Sequence, residues 1–428
     1  MTDLRAGSKA MRIDGDHLPI RPCRLCGAPL DRVFVDLGMS PPCEDFLPAE
    51  RLHDMERFYP LDVRICDVCL LVQLPVYLQA GEIFSEYAYF SSFSDSWVEH
   101  ARQYVDVMIT RFELGPMSQV IEVASNDGYL LRHVIARSIR ALGIEPAANV
   151  AAAAIQGGIP TVNEFFTEAL AKDLVRQHGP ADLLVANNVF AHVPDLNDFT
   201  AGLRVILAPR GVLTIEVAHL MRLIEGNQFD TIYHEHFMYY TLLSLEAVLA
   251  RHDLRVFDVE ELSTHGGSLR IFVVHDEDPR PVTPRVVDLR RREIESGYGM
   301  VEGYTDFQTR VNATKRDLLD FLIDARRSGA TIAGYGAPGK ANTLLNYCGI
   351  GTDFIDYLVD RNPYKHGRYT PGTHIPIHPV ERLAETRPSH ILILPWNLRD
   401  EIAQQLDYAR RQWDAQLFVP IPRVELVG

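Results

Sequence analysis

Apolar residues along the chain follow two patterns, helix-spaced series and short continuous runs. Trp97, Ala101, Tyr104, Met108 and Phe112 recur three or four positions apart, which predicts a helix with one buried face. Four apolar runs come after it, separated by turns and helical patterns: VIEV, ALGI, ADLLVA and GVLTIEV. Strands that alternate with helices predict a parallel, doubly wound α/β sheet.

The last third of the chain repeats this alternation on a smaller scale. The helical pattern YTDFQTRVNATKRDLLDFLIDARRSG precedes three apolar runs, in TIAGY, FIDYLV and HILIL, and a glycine-rich turn follows the first of them. A second, smaller Rossmann-like α/β unit is therefore predicted. The 428 residues suffice for two or three domains of ~150 residues each, and we place three domains at 1–79, 80–298 and 299–428.

Charge and composition narrow the class of protein. Lys and Arg number 42 and Asp and Glu 57, so the formal net charge is 42 − 57 = −15. This acidity argues against nonspecific binding to nucleic acid or to an anionic membrane surface. The N-terminus lacks the apolar core of a signal peptide, and no apolar run approaches the ~20 residues of a spanning helix. We expect a cytoplasmic protein with no nucleic-acid, membrane or obligate protein partner, compatible with a monomer.

Four of the six cysteines form two CxxC pairs in the first segment, CRLC (Cys23, Cys26) and CDVC (Cys66, Cys69). Thiols stay reduced in the cytosol, so clustered cysteines indicate a metal before a disulfide. Two CxxC turns can close a tetrahedral shell around zinc, and a closed shell is structural rather than catalytic. The alternative is two unrelated pairs with redox roles. Cys43 and Cys348 lie outside the pattern, and we expect both to be unreactive thiols.

The segment QVIEVASNDGYLLRHV joins a strand to a helix through small and polar residues. It lacks the GxGxxG of a dinucleotide-binding turn and the Lys-Ser/Thr of a P-loop. The next strand ends in Glu145, about 20 residues further on, where an acid commonly takes the ribose hydroxyls of an adenosine cofactor. With ANNVFAHVPD after a later strand, these pieces favour the S-adenosylmethionine-binding fold over a nicotinamide dehydrogenase, which would want GxGxxG. The candidate cofactor-binding residues are Glu122, Ser125, Asn126, Asp127, Gly128, Glu145, Asn187 and Asn188.

Two glycine-containing segments could approach a ligand. In GYGAPGK the glycines free backbone amides to face an anion at a helix N-terminus, and Lys340 adds a charge. Contact with phosphate or pyrophosphate is one interpretation of that turn, and a purely structural turn is the other. In THGGSLR, Ser268 and Arg270 could contact sugar or phosphate. The alternative there is a β-bulge or turn that leads into the strand LRIFVV.

The segment DTIYHEHFMYY carries two histidines around a glutamate, and three interpretations compete. A metal site is disfavoured because HEH lacks the HExxH spacing that puts both imidazoles on one helical face. A polar turn with only a structural role is the second interpretation. The third is acid–base chemistry, which suits an imidazole with a pKa of ~6.5. It favours a turn or short helix, because Tyr233 and His236 then share one face, whereas on extended backbone they oppose each other.

Seven motifs follow one another along the chain: CxxC…CxxC, EYxYxSS, IEVASNDGYLL, ANNVFAHVPD, FDTIYHEHFMYYT, THGGSLR and GYGAPGKANTLLNY…DRNPYKHGRYTPG. In this order they resemble the C-methyltransferases that act on nucleotide-linked 4-keto deoxysugars, enzymes that serve the synthesis of branched sugars of antibiotics and polysaccharides. The resemblance covers nearly the whole chain. It implies zinc in the first domain, S-adenosylmethionine in the middle domain, and a sugar nucleotide between the middle and last domains.

The resemblance also nominates residues. His236 is expected to be the base and Tyr233 its neighbour, with Tyr87, His192 and Glu235 at the other active-site positions. The residues expected on the substrate side are Arg270, Lys340, Asn342 and Arg361. One departure is Cys43, where members of that family tend to have an aliphatic or polar residue.

The implied reaction transfers a methyl group from S-adenosylmethionine to carbon, which we place at C-3, of a dTDP- or GDP-linked 4-keto-6-deoxy sugar. A hydrogen next to a ketone can be removed if the enolate is stabilised, so a histidine base and a tyrosine donor suit this reaction. Methylation of a sugar oxygen or nitrogen would need neither a ketone nor a carbon acid. Two further functions compete with these, namely a noncatalytic zinc-bearing scaffold with a methyltransferase fold and a nicotinamide-dependent sugar enzyme.

Overall fold

The structure is a computed structural model, which describes residues 22–77, 81, 91–93 and 95–428. The first part of the chain contains four strands: β1 (Arg32–Ser40), β2 (Leu47–Pro48), β3 (Tyr59–Ile65) and β4 (Val72–Gln73). β1, β3 and β4 belong to one antiparallel sheet. Alternate residues of β3, namely Leu61, Val63 and Ile65, are buried, so this sheet has one face on a core and one toward solvent.

The middle part is a seven-stranded sheet flanked by helices. Its strands, with the separate short strand β10, are β5 (Gln119–Val123), β6 (Arg140–Ile144), β7 (Thr161–Val162), β8 (Ala181–Asn187), β9 (Leu207–Ala218), β10 (Met238–Tyr239), β11 (Leu254–Leu262) and β12 (Ser268–His275). Its helices are α1 (Asp95–Phe112), α2 (Leu131–Ile135), α3 (Ala148–Gln156), α4 (Glu168–His178), α5 (Leu196–Ile206), α6 (Leu220–Glu225), α7 (Leu242–Ala250) and α8 (Pro284–Glu295). The strand order is β11-β12-β9-β8-β5-β6-β7, parallel from β9 to β7, with β12 antiparallel to both neighbours. The predicted doubly wound sheet is confirmed.

Helix α1 shows how the apolar spacing produces this layer. It begins at Asp95 and ends at Phe112, and it buries Ala101, Tyr104 and Met108 in a core shared with the sheet. The Tyr104 hydroxyl finds a partner in Thr214 Oγ1 of β9, 2.6 Å away, so the buried polar tip is satisfied. The predicted helix therefore packs through the predicted face.

The last part is a second α/β unit. Its strands are β13 (Ile332–Tyr335), β14 (Tyr357–Val359), β15 (Arg368–Tyr369), β16 (Ile377–His378), β17 (His390–Ile393), β18 (Gln416–Val419) and β19 (Glu425–Val427). Its helices are α9 (Phe307–Arg327), α10 (Gly339–Cys348), α11 (Arg382–Thr386), α12 (Arg399–Gln405) and α13 (Asp407–Trp413). The sheet order is β16-β14-β13-β17-β18-β19, parallel except for β19. Because the winding direction reverses beside β13, the GYGAPGK turn lies where open α/β sheets bind ligands.

Helix α9, with 21 residues, follows the predicted helical pattern. It buries Phe307, Val311, Leu318 and Leu322, which recur at helical spacing, and its other face is polar. Within the described ranges, no helix is long and apolar enough to span a bilayer.

Two short strand pairs tie the three parts together. β10, from the segment FMYY, pairs antiparallel with β4 and places Met238 opposite Gln73. β15 of the last part pairs with β2 and places Arg368 opposite Pro48. The sheet of the first part thus includes a strand that comes from the middle segment of the chain. The domain boundaries at residues 79 and 298 stay predictions.

Candidate active site

The four paired cysteines converge on one point. Their Sγ atoms all lie within 4.8 Å of one another, and the pairs Cys23–Cys69 and Cys26–Cys66 are each 3.5 Å apart. Four thiolates around a zinc ion at ~2.3 Å would lie about 3.8 Å from one another, so the cluster fits zinc. In the part of the chain that the structure describes, no other group of three or more Cys, His, Asp or Glu has metal-ligand spacing. Among the described residues, the HEH segment therefore belongs to no metal cluster.

Both CxxC pairs sit on tight turns of the same design. The Gly27 N–H donates to the Cys23 carbonyl oxygen, and the Leu70 N–H donates to that of Cys66, each at 2.9 Å. Gly27 and Leu70 both have positive φ, 76° and 58°, which turns the chain back and leaves the thiols on one side. The side-chain amide of Gln73 donates to Cys23 Sγ at 3.1 Å. This bond favours the thiolate form, which is the form that binds metal.

The cysteine cluster is joined directly to the DTIYHEHFMYY segment. Arg24, between the first two cysteines, donates to the carbonyl oxygens of Leu74 at 2.6 Å and Phe237 at 3.1 Å. The Leu74 N–H donates to the same Phe237 oxygen at 2.8 Å. Since Phe237 follows His236, the turns around the metal site position the backbone of the candidate base.

The SNDG turn is closely packed at the carboxyl end of β5. Ala124, Asn126 and Gly128 all have positive φ, at 57°, 50° and 77°. The Gly128 N–H donates to the Ser125 carbonyl oxygen at 3.1 Å. A Cβ at position 128 would lie 2.5 Å from Ile159 Cγ1, so glycine is required both by the backbone angle and by the space. The turn lies buried at the point where the sheet ends.

Glu145 connects the ends of β5 and β6. Its Oε2 accepts a hydrogen bond from the Asn126 N–H and its Oε1 from the Ala147 N–H, both at 2.9 Å. Burial raises the pKa of this carboxyl group. A carboxylate has about four lone-pair sites, so two remain after these bonds for ribose hydroxyls. The predicted cofactor acid is therefore placed beside the predicted cofactor turn.

Several buried polar atoms at this sheet edge have no hydrogen-bond partner among the described residues. They are Glu122 Oε2, Ser125 Oγ, Asp127 Oδ1 and Asn187 Oδ1. Such orphaned atoms are rare and costly in folded proteins, and they indicate a missing partner such as a ligand. Asn188 adds a positive φ of 54°, and its N–H donates to the Glu216 carbonyl oxygen at 2.8 Å. The donor and acceptor set fits a polar adenosine cofactor.

His236 lies at the end of a tight turn. Its backbone N–H donates to the Tyr233 carbonyl oxygen at 2.9 Å, and the two rings have centroids 4.1 Å apart. His236 Nδ1 lies 3.0 Å from the Thr231 carbonyl oxygen. Because a carbonyl oxygen only accepts, Nδ1 carries the proton and the lone pair of the neutral ring is on Nε2. The turn that acid–base chemistry requires is present, and it brings Tyr233 and His236 together.

The environment keeps the His236 imidazole neutral. Burial lowers its pKa well below the usual value, the neighbouring His192 and His265 lower it further, and the hydrogen bond to Thr231 acts in the opposite direction. The ring centroid of His192 is 4.8 Å from that of His236. Burial lowers the pKa of His192 to about 4. Two neutral imidazoles thus face each other at neutral pH, and Nε2 of His236 can accept a proton.

His234 points away from this pair. It is buried against Tyr59, with ring centroids 5.9 Å apart, and its Nε2 lies 3.3 Å from the Pro60 carbonyl oxygen. These contacts anchor the turn on β3.

Glu235 lies in a cluster where all three parts of the chain meet. The Cys43 thiol donates to Glu235 Oε1 at 3.8 Å, and Lys365 Nζ lies 3.4 Å from Glu44 Oε2. Burial and the nearby Glu44 raise the pKa of Glu235 to about 7. Burial and these carboxyl groups raise the pKa of the Cys43 thiol well above the usual value, and burial raises the pKa of Cys348 to about 12. Both thiols are therefore protonated, as expected for unreactive cysteines.

Lys340 occupies the first turn of α10 and faces the seam between the last and middle parts. Its ammonium group lies 4.6 Å from the centre of the Trp396 ring and donates to the side-chain oxygen of Asn397. Trp396 Nε1 in turn donates to Asp230 Oδ2 at 2.7 Å, while the buried Asp230 Oδ1 has no partner in the described structure. Burial raises the pKa of Asp230 to about 6 although Lys340 opposes this shift. A polar network thus crosses the seam.

THGGSLR enters β12 through a 3-10 turn at Thr264–Gly266, as the structural interpretation of this segment anticipated. Ser268 is buried, and its hydroxyl donates to the Thr264 carbonyl oxygen at 3.1 Å. Arg270 is buried as well and pairs with Glu216 at 3.0 Å and Glu260 at 3.2 Å. Its guanidinium group already has carboxylate partners, and its contact with substrate stays a prediction.

Asn342 and Arg361 take different positions in the last part. Asn342 is buried in α10, and its side-chain amide donates to the Cys43 carbonyl oxygen at 2.5 Å. Arg361 lines a cavity of about 320 Å³ at the carboxyl ends of β13 and β14, together with Tyr335, Asp360 and His366 among others. Arg361 thus lies beside that cavity, and its contact with a ligand stays a prediction, whereas Asn342 joins α10 to the loop before β2.

Local sequence patterns did not identify every residue near the candidate site. Tyr87 lies outside the described residues. Asp230, His265 and Trp396 were not singled out from the sequence. The first two belong to the segments DTIYHEH and THGGSLR, whose polar residues are a usable signal, whereas nothing local marks Trp396.

Three families of known proteins match successive parts of this chain. Residues 23–84 match a family described as “Putative zinc binding domain”, residues 97–259 match “Methyltransferase domain”, and residues 263–422 match “C-methyltransferase C-terminal domain”. The C-methyltransferase NovU from Streptomyces niveus is 33% identical over 410 residues, which cover 96% of this chain and 97% of that protein.

Solved structures match a smaller share of the chain. A S-adenosylmethionine-dependent methyltransferase from Clostridium acetobutylicum is 12% identical with a TM-score of 0.34, over 42% of this chain and 92% of its own. Magnesium protoporphyrin IX methyltransferase from Synechocystis is 14% identical with a TM-score of 0.32, over 42% and 82%.

Proposed function

This chain belongs to the S-adenosylmethionine-dependent C-methyltransferases, and on that premise we propose that its acceptor is a carbon next to the ketone of a nucleotide-linked 4-keto-6-deoxy sugar. The acceptor carbon is C-3, and the nucleotide is dTDP or GDP. The observation that carries the proposal is the neutral His236 ring, whose Nδ1–H is held by the Thr231 carbonyl oxygen so that the lone pair is on Nε2. A base of this kind is what methylation of carbon needs.

The proposed reaction begins with loss of a proton from C-3. His236 Nε2 takes that proton, and the electron pair of the C–H bond forms an enolate with its negative charge on O-4. The Tyr233 hydroxyl donates a hydrogen bond to O-4 and stabilises the charge. When bound, S-adenosylmethionine supplies an electrophilic methyl group. C-3 would take this methyl group as its bond to sulfur breaks, so that S-adenosylhomocysteine is the leaving group and the ketone returns. The proton on His236 then leaves to solvent.

The residues around His236 bear on its neutral form, which accepts the proton, and on the imidazolium that it then becomes. His192 stays uncharged because of its low pKa, so it does not repel the imidazolium that forms on His236. Glu235 lies on the same turn, and its carboxyl group accepts a hydrogen bond from the Cys43 thiol, so it shapes the site where the three parts of the chain meet. Tyr87 completes the site in this proposal.

The other named residues hold the two reactants. The methyl donor would be held by Glu122, Asn187, Asn188, Glu145 and the Ser125–Gly128 turn. Among the described residues, Glu122 Oε2, Ser125 Oγ, Asp127 Oδ1 and Asn187 Oδ1 are buried without a hydrogen-bond partner. Arg270, Lys340, Asn342 and Arg361 are proposed on the side of the sugar nucleotide. The cavity beside Arg361, about 320 Å³, falls within the ~300–1,000 Å³ of small-molecule sites. The zinc shell would act only through the position of the turn that carries His236.

Two assays on the purified protein test the proposal. With S-adenosylmethionine and a panel of dTDP- and GDP-linked 4-keto-6-deoxy sugars, one product should gain the mass of one methylene group. With S-adenosylhomocysteine in deuterated water, solvent deuterium should enter the sugar at C-3. Methylation without isotope exchange would instead indicate an oxygen or nitrogen acceptor.

The base is tested with a matched pair of histidine variants. His236→Asn should abolish both exchange and methylation while calorimetric affinity for S-adenosylhomocysteine stays within about twofold, since the cofactor turn is untouched. His178→Asn, at an exposed position at the end of α4, should behave like the unsubstituted protein. Undiminished exchange by His236→Asn would show that another group removes the proton.

A further inference from the structure

The THGG turn places a third histidine in the cleft between the middle and last parts, where Lys340 and Trp396 also lie, and we propose that His265 contacts the sugar of the acceptor and donates a hydrogen bond to one of its oxygens. The inference rests on the proposed function, because it takes a nucleotide-linked keto sugar as the ligand. It concerns a residue that neither the zinc site, the cofactor turn nor the His236 turn includes.

The turn lies at the ligand-binding edge of the middle sheet. It connects β11 to β12, and the first residue of β12, Ser268, pairs with Ala218 at the end of β9. The parallel strands β5, β8 and β9 end at this same edge, where the SNDG turn and Asn187 also lie. In open α/β sheets this is the edge at which ligands bind.

The backbone of the turn is held rigidly in an unfavourable conformation. His265 has φ 55° and ψ 21°, which is uncommon for a residue other than glycine. The Gln228 side-chain amide donates to the Gly266 carbonyl oxygen at 2.8 Å, and the His219 N–H donates to that of Gly267 at 3.0 Å. The surroundings therefore impose this geometry on the turn, as is typical of functional sites.

The His265 side chain is the exposed part of this otherwise fixed turn. On one side its ring meets Trp97 of α1 edge to face, with centroids 5.4 Å apart. On the other side the turn abuts Trp396 of the last part, since a Cβ on Gly266 would lie 2.6 Å from Trp396 Cη2. The imidazole thus stands between a helix of the middle part and the last part.

Charged and titratable neighbours place His265 in the same cleft as the base. Partial removal of the ring from water lowers the pKa of His265. Glu216 raises this pKa, whereas Lys340 and His100 lower it, and the net shift is downward, so the ring is neutral. His265 in turn lowers the pKa of His236. A neutral imidazole offers one N–H donor and one acceptor, which matches a sugar hydroxyl or ketone oxygen.

The neighbouring polar residues of the motif are less available. Ser268 is bonded to the Thr264 carbonyl oxygen, and Arg270 is paired with two carboxylates. Both are buried, whereas His265 is open to the cleft. Thr264 is half-buried and its hydroxyl donates to Glu216 Oε1 at 3.3 Å, so His265 is the exposed polar side chain of THGGSLR.

Two substitutions test this without disturbing the turn, because asparagine and glycine both tolerate a left-handed backbone. His265→Gly should lower kcat/KM for the sugar nucleotide about tenfold, mainly through KM, and His265→Asn should lower it less because an amide donor remains. Affinity for S-adenosylhomocysteine and Tm should not change in either variant. His178→Asn again serves as the control.

The outcomes separate this inference from the proposed function. If the unsubstituted protein methylates a keto sugar and His265→Gly does so with the same kcat/KM, His265 does not contact the sugar. A parallel loss of cofactor affinity or Tm would assign His265 a structural role and would also overturn the inference. If the unsubstituted protein neither exchanges nor methylates any sugar of the panel, the proposed function fails and this inference falls with it.

Discussion

Gln73 pairs with Met238 across two antiparallel strands, and its side-chain amide donates to Sγ of the zinc ligand Cys23 at 3.1 Å. Met238 lies two residues after His236. The metal cluster and the proposed base are therefore connected through one pair of strands. A closed four-thiolate shell leaves no position for a substrate, so the contribution of zinc to activity has to be positional.

Removal of zinc should therefore abolish isotope exchange and methylation together. Without the metal the two CxxC turns lose their common ligand, and β4 no longer holds β10 in place. Exchange at C-3, metal content and Tm would be measured before and after chelation, and again after addition of zinc or of magnesium. Only zinc should restore exchange. Metal-free protein with full exchange would show that the strand pair persists without the cluster.

The pH dependence of kcat/KM should reflect a base that is neutral over the physiological range. The pKa of His236 lies well below its usual 6.5, and His236 must be unprotonated to act as the base. Activity is therefore lost only as pH falls through this lowered pKa. The pKa of Glu235 is about 7, so its ionisation could add a second pH-dependent step to the kcat/KM profile. The profile would therefore be recorded for both the unsubstituted protein and Glu235→Gln. An acidic limb centred above pH 6.5 that persists in Glu235→Gln would contradict the assignment.

Glu235→Gln should also change stability in a pH-dependent way. The folded pKa of Glu235 is about 7, above the ordinary 4.5, so the folded state holds a proton that the unfolded state releases. Stability is thus lost as pH rises from 4.5 to about 7 and stays lost above it. At pH ~8 the variant should be more stable by about 1–3 kcal/mol in urea unfolding, with no difference near pH ~4. Glu50→Gln, at an exposed position, is the control and should show no such pH-dependent gain.

Two glycine substitutions separate backbone strain from crowding at the cofactor turn. Gly128 and Gly179 have similar φ, 77° and 83°, but a Cβ meets Ile159 at 2.5 Å in the first and nothing within 4 Å in the second. Gly128→Ala should therefore lower calorimetric affinity for S-adenosylhomocysteine at least about tenfold, whereas Gly179→Ala should leave it unchanged. Equal affinities for the two variants would show that the SNDG turn does not hold the cofactor.

Much of the fold could be predicted because its causes are local. The spacing of Trp97, Ala101 and Tyr104 determines which face of α1 is buried, and apolar runs bounded by turn residues determine β5, β6 and β8. The two CxxC turns each need only five consecutive residues to present their thiols. The position of Glu145 after the second strand likewise follows from counting along the chain.

By itself, then, the sequence determined the elements, their alternation, the metal ligands and the residue types available for chemistry. The tertiary structure alone decided that Met238 pairs with a strand of the zinc-binding sheet and that Lys340 packs on Trp396. It also decided that Arg270 forms an ion pair with Glu216 and that the His265 side chain is exposed. Each of these outcomes depends on contacts or burial between segments distant in the chain. Hydrophobic periodicity and turn chemistry act over a few residues, so they carry no information about which distant surfaces meet.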